Sequence, residues 1–244
     1  MLPGLAIWLT YLLFGVLSFT KPLWVIAFVL VFAIYWLLRV VYFVVFIVIG
    51  WRRYRHAIST DWLTAAKALP NYENLYHLIV LPTYNEPFDV LETSFESYKN
   101  AEVDLQKVII VLSGEARAED NFKRVSEKIR ERYGNVFGHL EITMHPDGIP
   151  GEMKGKGANA HWAGHIAKEL VDRKGIAYKD VVVSYFDVDT VVHRQYFAAL
   201  SHLYLKHPNP TRTAYQPVVL YNNNIWQAPL VTRVAAFGTT FWLM

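Results

Sequence analysis

Asp187-Val188-Asp189 closes an apolar run from Val181 to Phe186. Two carboxylates two positions apart at a strand's end point to the same side of it. Hard oxygen donors so placed suit Mg²⁺ or Mn²⁺ shared with the diphosphate of a ligand. A solvated strand end has the same spacing, and such triplets recur by chance; Glu102-Val103-Asp104 is another. Lys154-Gly155-Lys156-Gly157-Ala158-Asn159-Ala160 opens a helical pattern. Glycines let a backbone approach a ligand, a helix N-terminus favours anions, and Lys156 adds charge for a phosphate. A flexible basic loop has the same composition. It is not a Walker A loop, since the glycine spacing is wrong and no Ser or Thr follows the lysine. Pro82-Thr83-Tyr84-Asn85-Glu86-Pro87 is the third candidate. It reads either as an ordinary strand-to-helix turn, with Asn85 capping and Glu86 in the helix's first turn, or as a cradle for a base and ribose. The 9 histidines show no zinc-type spacing. His161 and His165, four apart, read as a polar helix face.

The segments that must hold these residues alternate in type. Apolar runs at 77–83, 106–113, 139–144 and 181–186 read as strands, and 214–221 as one more. Helical patterns lie at 86–100, 118–133, 158–174 and 193–206, the third closed by Gly175. Such alternation predicts an α/β fold, a mostly parallel sheet with helices on both faces. Ligands of such sheets bind beyond the carboxyl ends of the strands, where all three candidates fall.

Residues 1–50 differ from the rest. They hold no acidic residue, and their only charges are Lys21 and Arg39. The pattern predicts a two-helix transmembrane hairpin, broken at Thr20-Lys21-Pro22, with Arg39 snorkelling to headgroups. Its second run, 23–50, would extend roughly 42 Å and must tilt or enter the headgroup layer. Arg52, Arg53 and Arg55 at the exit mark the cytoplasmic side. The expected organisation is therefore 1–50 as two transmembrane helices, 51–75 as a basic juxtamembrane segment with an interfacial helix over 56–69, and 76–244 as a cytosolic domain. Localisation in the cell membrane, multi-pass, follows. Lys21 and Arg39 supply two of the three units of formal net charge, +3, so the remainder is nearly neutral and does not read as a nucleic-acid binder. Cysteine is absent, which excludes disulfides and thiolate metal sites and fits a reducing compartment.

Taken in order, Leu81-Pro82-Thr83-Tyr84-Asn85-Glu86, Lys156-Gly157-Ala158-Asn159-Ala160 and Phe186-Asp187-Val188-Asp189 resemble the family-2 glycosyltransferases, in particular the membrane-integrated cellulose-synthase-like branch. The resemblance covers about residues 76–221, with the membrane hairpin matching by architecture. It implies a GT-A-type fold, a nucleotide-diphosphate sugar donor (a UDP-sugar), a glycan or lipid-linked acceptor, and inverting transfer in polysaccharide biosynthesis. By that match Thr83, Tyr84 and Glu86 hold the nucleoside, Lys156 and Asn159 lie near donor or diphosphate, and Asp187 and Asp189 serve the metal. Gln216-Pro217 resembles the family's Q-x-P element with shortened spacing. The acidic pair usual after the second strand is here Ser113-Gly114-Glu115, leaving Glu115 as the base-contacting acid. The Thr-Glu-Asp-type base motif and the Gln-x-x-Arg-Trp motif are missing. The apolar end at Phe241-Trp242-Leu243-Met244 reads as a cut inside a longer protein, with the catalytic base beyond residue 244. The alternative is a catalytically silent, membrane-anchored module that binds nucleotide sugar or acts as a scaffold.

Overall fold

The computed structural model describes residues 2–220 and 225–243. The chain forms two compact units, Asp61–Gln216 on one hand and Met1–Thr60 with Pro217–Met244 on the other.

In the second of these, α1 (Leu2–Thr20) and α2 (Pro22–Ser59) are both long and apolar enough to cross a membrane. Pro22 lies at the start of α2, where its missing N–H is harmless. Phe14 and Phe28 pack with ring centroids 4.9 Å apart, joining the two helices. The expected boundary at residue 50 is not a structural break. No proline or cap follows Gly50, and Trp51 supports the next turn through Tyr54 (5.7 Å between rings) and Arg55 (5.9 Å above the indole). With 38 residues, α2 extends roughly 57 Å. The single interfacial helix expected over 56–69 is also corrected: α2 ends at Ser59, and a separate α3 (Trp62–Lys67) begins behind Asp61. The Asp61 carboxylate accepts from the Thr64 backbone N–H at 3.1 Å, a side-chain cap that restarts the helix.

The Asp61–Gln216 unit is built on four strands: β1 (Tyr76–Pro82), β2 (Val108–Glu115), β3 (His139–His145) and β4 (Val181–Tyr185). All pair in parallel, in the order β3-β2-β1-β4. The inner strands β1 and β2 are buried on both faces, which is why they read as unbroken apolar runs. Between the strands come α4 (Phe88–Lys99), α5 (Glu119–Tyr133), α6 (Lys156–Arg173) and, after β4, α7 (Tyr196–Lys206). One face of the sheet packs Ile79, Leu81, Ile110 and Leu112 against Leu91 and Phe95 of α4, Val125 and Ile129 of α5 and Phe197 of α7. The opposite face packs Leu78, Val80, Ile109 and Val111 against Ala163, Ala167 and Leu170 of α6. The α/β architecture with helices on both faces is thus present. A strand over 214–221 is not: residues 213–220 have no regular structure, Pro217 lacks a ladder donor, and Tyr221 lies outside the described residues. The helix α8 (Leu230–Leu243) belongs to the other unit.

His77 of β1 is buried, and its Nε2 shares a 2.9 Å hydrogen bond with the Ser201 hydroxyl of α7. Burial pushes the imidazole down to about 4 from 6.5. A base whose folded pKa is depressed gives its full stability above the unfolded value and loses it as pH falls from about 6.5 towards 4. At 1.36 kcal/mol per unit the loss approaches about 3 kcal/mol. Urea unfolding of the chain in detergent at pH 7.5 and pH 5 should show the first part of this, and His77→Leu with Ser201→Ala should lose about 2 kcal/mol less over the same interval. Equal losses in the two proteins would remove His77 as the cause.

Candidate functional site

The strand order reverses at β1. The chain steps from β1 outwards to β2 and β3, then crosses by way of α6 to lay β4 on the other side of β1. Open parallel sheets bind ligands at such a switch point, beyond the carboxyl ends of the strands. The turn after β1, the segment after β4 and the N-terminus of α6 meet there.

In the turn after β1, the expected helix start at Glu86 is corrected. Pro87 precedes α4, and Asp89 is the acid in its first turn. Glu86 instead folds back: its carboxylate accepts from the Thr83 hydroxyl at 2.6 Å and from the Tyr84 backbone N–H at 2.7 Å. Partial burial pushes this carboxyl up, but the hydrogen bonds from Thr83 and Tyr84 outweigh it and hold it below the usual range. Glu86 is therefore ionised, and Tyr84 is left exposed at the tip.

At the end of β2, the strand continues two residues past Ser113, so Glu115 lies inside it and is only 6% exposed. Gly114 is required because the Phe122 ring of α5 occupies the space of a Cβ. Arg117 donates to the Glu115 carboxylate, through Nε at 3.0 Å and through Nη2, and its guanidinium lies 5.0 Å from the Tyr84 ring centre. Sequence reasoning missed Arg117. The only signal was a cation two positions after Glu115, a common pattern among 24 basic residues. A cleft of about 100 Å³ opens beside this pair, bounded by His145, Asp147, Glu152 and Lys154 from the end of β3 and the loop behind it. His145 meets Glu152 at 2.9 Å, and Lys154 meets Asp147 at 2.7 Å.

Helix α6 starts two residues before the expected Ala158, so Lys156 is its first residue. Gly155 precedes it at φ 152, a conformation open to glycine, and no side chain caps the helix. Lys156 pairs with Asp187, and its ammonium lies 5.7 Å from the Tyr185 ring centre. Asn159 is 1% exposed and fully engaged. Its Oδ1 accepts from the Ser113 hydroxyl at 2.5 Å, and its Nδ2 donates to the carbonyls of Thr83 (3.1 Å) and Ser113 (2.9 Å). Rather than facing a ligand, it ties the ends of β1 and β2 to α6.

Beyond β4 the chain turns, the Thr190 N–H donating to the Asp187 carbonyl at 2.9 Å. Phe186 and Val188 are buried, while Asp187 and Asp189 are exposed. Asp187 and Asp189 are the two carboxylates here that could serve as oxygen donors to a cation, and no group of three or more His, Cys, Asp or Glu that could hold a metal ion occurs among the described residues. His161 and His165 stand apart on the exposed side of α6, Nε2 to Nε2 at 3.1 Å. Gln216 and Pro217 fall in the irregular stretch described above.

No protein-family model matches the sequence, and no curated protein matches it. Among solved structures, the chain is similar to S. aureus TarS residues 1–349, with 14% identity and a TM-score of 0.37 over 61% of this chain and 40% of that one. A second structure of S. aureus TarS gives 14% identity and a TM-score of 0.33, over 62% of this chain and 27% of that one. The chain spans well under half the length of either. Superposition at this level carries no argument about function.

Proposed function

We propose that the chain is the donor-binding part of a membrane-anchored, inverting glycosyltransferase of GT-A type, which takes its sugar from a nucleotide diphosphate, most simply UDP. The observation that carries this reading is the meeting, at the sheet's switch point, of the Thr83–Glu86 turn, Glu115, the α6 N-terminus with Lys156, and the Asp187/Asp189 segment. Each supplies what a nucleotide-diphosphate sugar needs. Tyr84 offers a ring face to the base, and Glu115 an acceptor for a base or ribose N–H or O–H. Backbone N–H groups at the start of α6 point to where an anion would lie, and Lys156 adds a charge that can move from Asp187 to phosphate. The divalent cation that Asp187 and Asp189 would hold supplies neutralisation of charge on the departing diphosphate. Glu86 fixes the turn rather than contacting the ligand. The acceptor, glycan or lipid-linked, attacks the anomeric carbon from the face opposite the diphosphate. The general base is assigned to none of these residues. Helices α1 and α2 would hold the domain at the bilayer, with Arg52, Arg53 and Arg55 keeping it on the cytosolic side.

Calorimetric titration of UDP into the chain in detergent tests the reading. Micromolar binding with Mn²⁺ is expected, weakened about 100-fold by chelator, which removes the cation altogether, and about tenfold by Lys156→Ala, roughly one charge-assisted contact. The absence of binding at millimolar UDP with Mn²⁺ present would overturn it, as would equal affinity for uridine and UDP.

A further inference from the structure

The segment that carries the two aspartates is bonded to α4 at three points. Ser94 Oγ donates to the Val188 carbonyl at 2.7 Å, Tyr98 Oη donates to the Thr190 carbonyl at 3.0 Å, and the Val192 N–H donates to Ser97 Oγ at 3.2 Å. Residues 94, 97 and 98 share one face of a helix, and the groups they meet belong to the turn that the Thr190 N–H closes on the Asp187 carbonyl (2.9 Å) and to the residues just after it.

The contacts are internal. Ser94 and Tyr98 are 0% exposed. The Tyr98 ring stacks on Phe186 with centroids 6.1 Å apart, and Phe186 and Val188 sit in the core that α4 covers. Residues 186 and 188 are thus held by their side chains, and 188, 190 and 192 by their backbones. Asp187, Asp189 and Val191 face outwards, and the two aspartates are the carboxylates among them. Burial pushes the Tyr98 phenol far above its ordinary pKa, so the hydroxyl stays a donor throughout the working range. The same helix begins directly after the Thr83–Glu86 turn, and Asn121 Nδ2 donates to the Glu86 carbonyl at 3.3 Å, fixing that end.

We infer that Ser94, Ser97 and Tyr98 are positioning residues that hold the Asp187/Asp189 segment at the geometry needed to share a divalent cation with a diphosphate, and that α4 joins this segment to the nucleoside turn. The inference rests on the donor-site reading above. Its physical basis is that two carboxylates on a segment beyond a strand end have no ladder to fix them. A cation shared with a mobile ligand demands donors placed within a fraction of an ångström, and α4 supplies that restraint.

The test reads cation dependence. UDP is titrated into the full chain in detergent over a series of Mn²⁺ concentrations, for the wild type, Ser94→Ala with Tyr98→Phe, Asp189→Ala and Tyr133→Phe. Tyr133 is an equally buried tyrosine whose hydroxyl bonds Glu96 at 2.8 Å and does not touch the segment. In the double variant the Mn²⁺ concentration for half-maximal enhancement should rise about tenfold, while affinity for UDP in chelator changes less than twofold. Tyr133→Phe should leave both unmoved. An equal shift in Tyr133→Phe, or no shift in the double variant when Asp189→Ala abolishes the cation effect, overturns the inference. If Asp189→Ala leaves the cation effect intact, the donor-site reading of the aspartates fails instead. The clamp itself is then judged by hydrogen exchange. Ser97→Ala should speed exchange at the Val192 amide at least about tenfold, and unchanged exchange there overturns the clamp.

Discussion

Asn159→Ala is expected to destabilise the Asp61–Gln216 unit by about 4 kcal/mol, from loss of its three buried hydrogen bonds. The argument rests on what is left behind. Truncation strands the Thr83 carbonyl and the Ser113 hydroxyl in a place sealed from water, while the Ser113 carbonyl keeps the Thr83 N–H at 2.8 Å, and each unsatisfied group costs about 1–3 kcal/mol. Asn159→Asp is the sharper comparison, since it is isosteric. It keeps an acceptor for the Ser113 hydroxyl but sets a second oxygen against two carbonyl oxygens, so it should destabilise at least as much at neutral pH. Urea unfolding in detergent measures both. A loss below about 1 kcal/mol in Asn159→Ala would show that water replaces the amide. UDP binding should fall with stability in both variants, because the ends of β1 and β2 are no longer tied to the helix that presents Lys156.

That double role explains which parts of the site could be read from the chain. The strands β1 and β2 were legible because burial on both faces forces unbroken apolar runs, and the alternation of strand and helix gave the parallel sheet. Asp187 and Asp189 were read on a strand period, whereas β4 ends at Tyr185 and the pair stands in a turn closed by the Thr190 N–H on the Asp187 carbonyl. Boundaries slipped where a side chain elsewhere in the fold decides them. β2 runs on through Glu115 because Gly114 makes room for Phe122, and the helix after β1 starts late because Glu86 prefers the Thr83 hydroxyl and the Tyr84 amide to the helix N-terminus. The predicted strand at 214–221 counted apolar residues and undervalued Pro217. The contacts between α4 and the acidic segment were invisible for a different reason. They join residues 92 to 95 positions apart, and serine and tyrosine on a helix carry no signal of their distant partners. Asn159 was placed near the donor by the family resemblance; its burial and its bonds to Thr83 and Ser113 depend on packing that the chain does not spell out.

Asp189→Ala is expected to weaken UDP binding about 100-fold in Mn²⁺, roughly 3 kcal/mol of cation-mediated attraction, and to abolish the effect of chelator. Asp187→Ala should weaken it only about tenfold. The asymmetry follows from the Lys156–Asp187 ion pair. Without Asp187 one cation ligand is lost, but the Lys156 ammonium is released to meet the diphosphate directly, and the net charge at the α6 N-terminus becomes more favourable to an anion. The sign should therefore reverse without cation: in chelator, Asp187→Ala should bind UDP more tightly than the wild type, and Asp189→Ala no more tightly. Adding Lys156→Ala to Asp187→Ala should cancel that gain, which a double-mutant cycle of four calorimetric titrations in chelator would read as non-additivity. Additive effects, or tighter cation-free binding in Asp189→Ala than in Asp187→Ala, would mean that Lys156 does not pass between the carboxylate and the phosphate. Since both groups of the pair are about half exposed (49% for the Lys156 side chain, 64% for Asp187), holding them together stabilises the unliganded site little, and the lysine is released at small cost when an anion arrives.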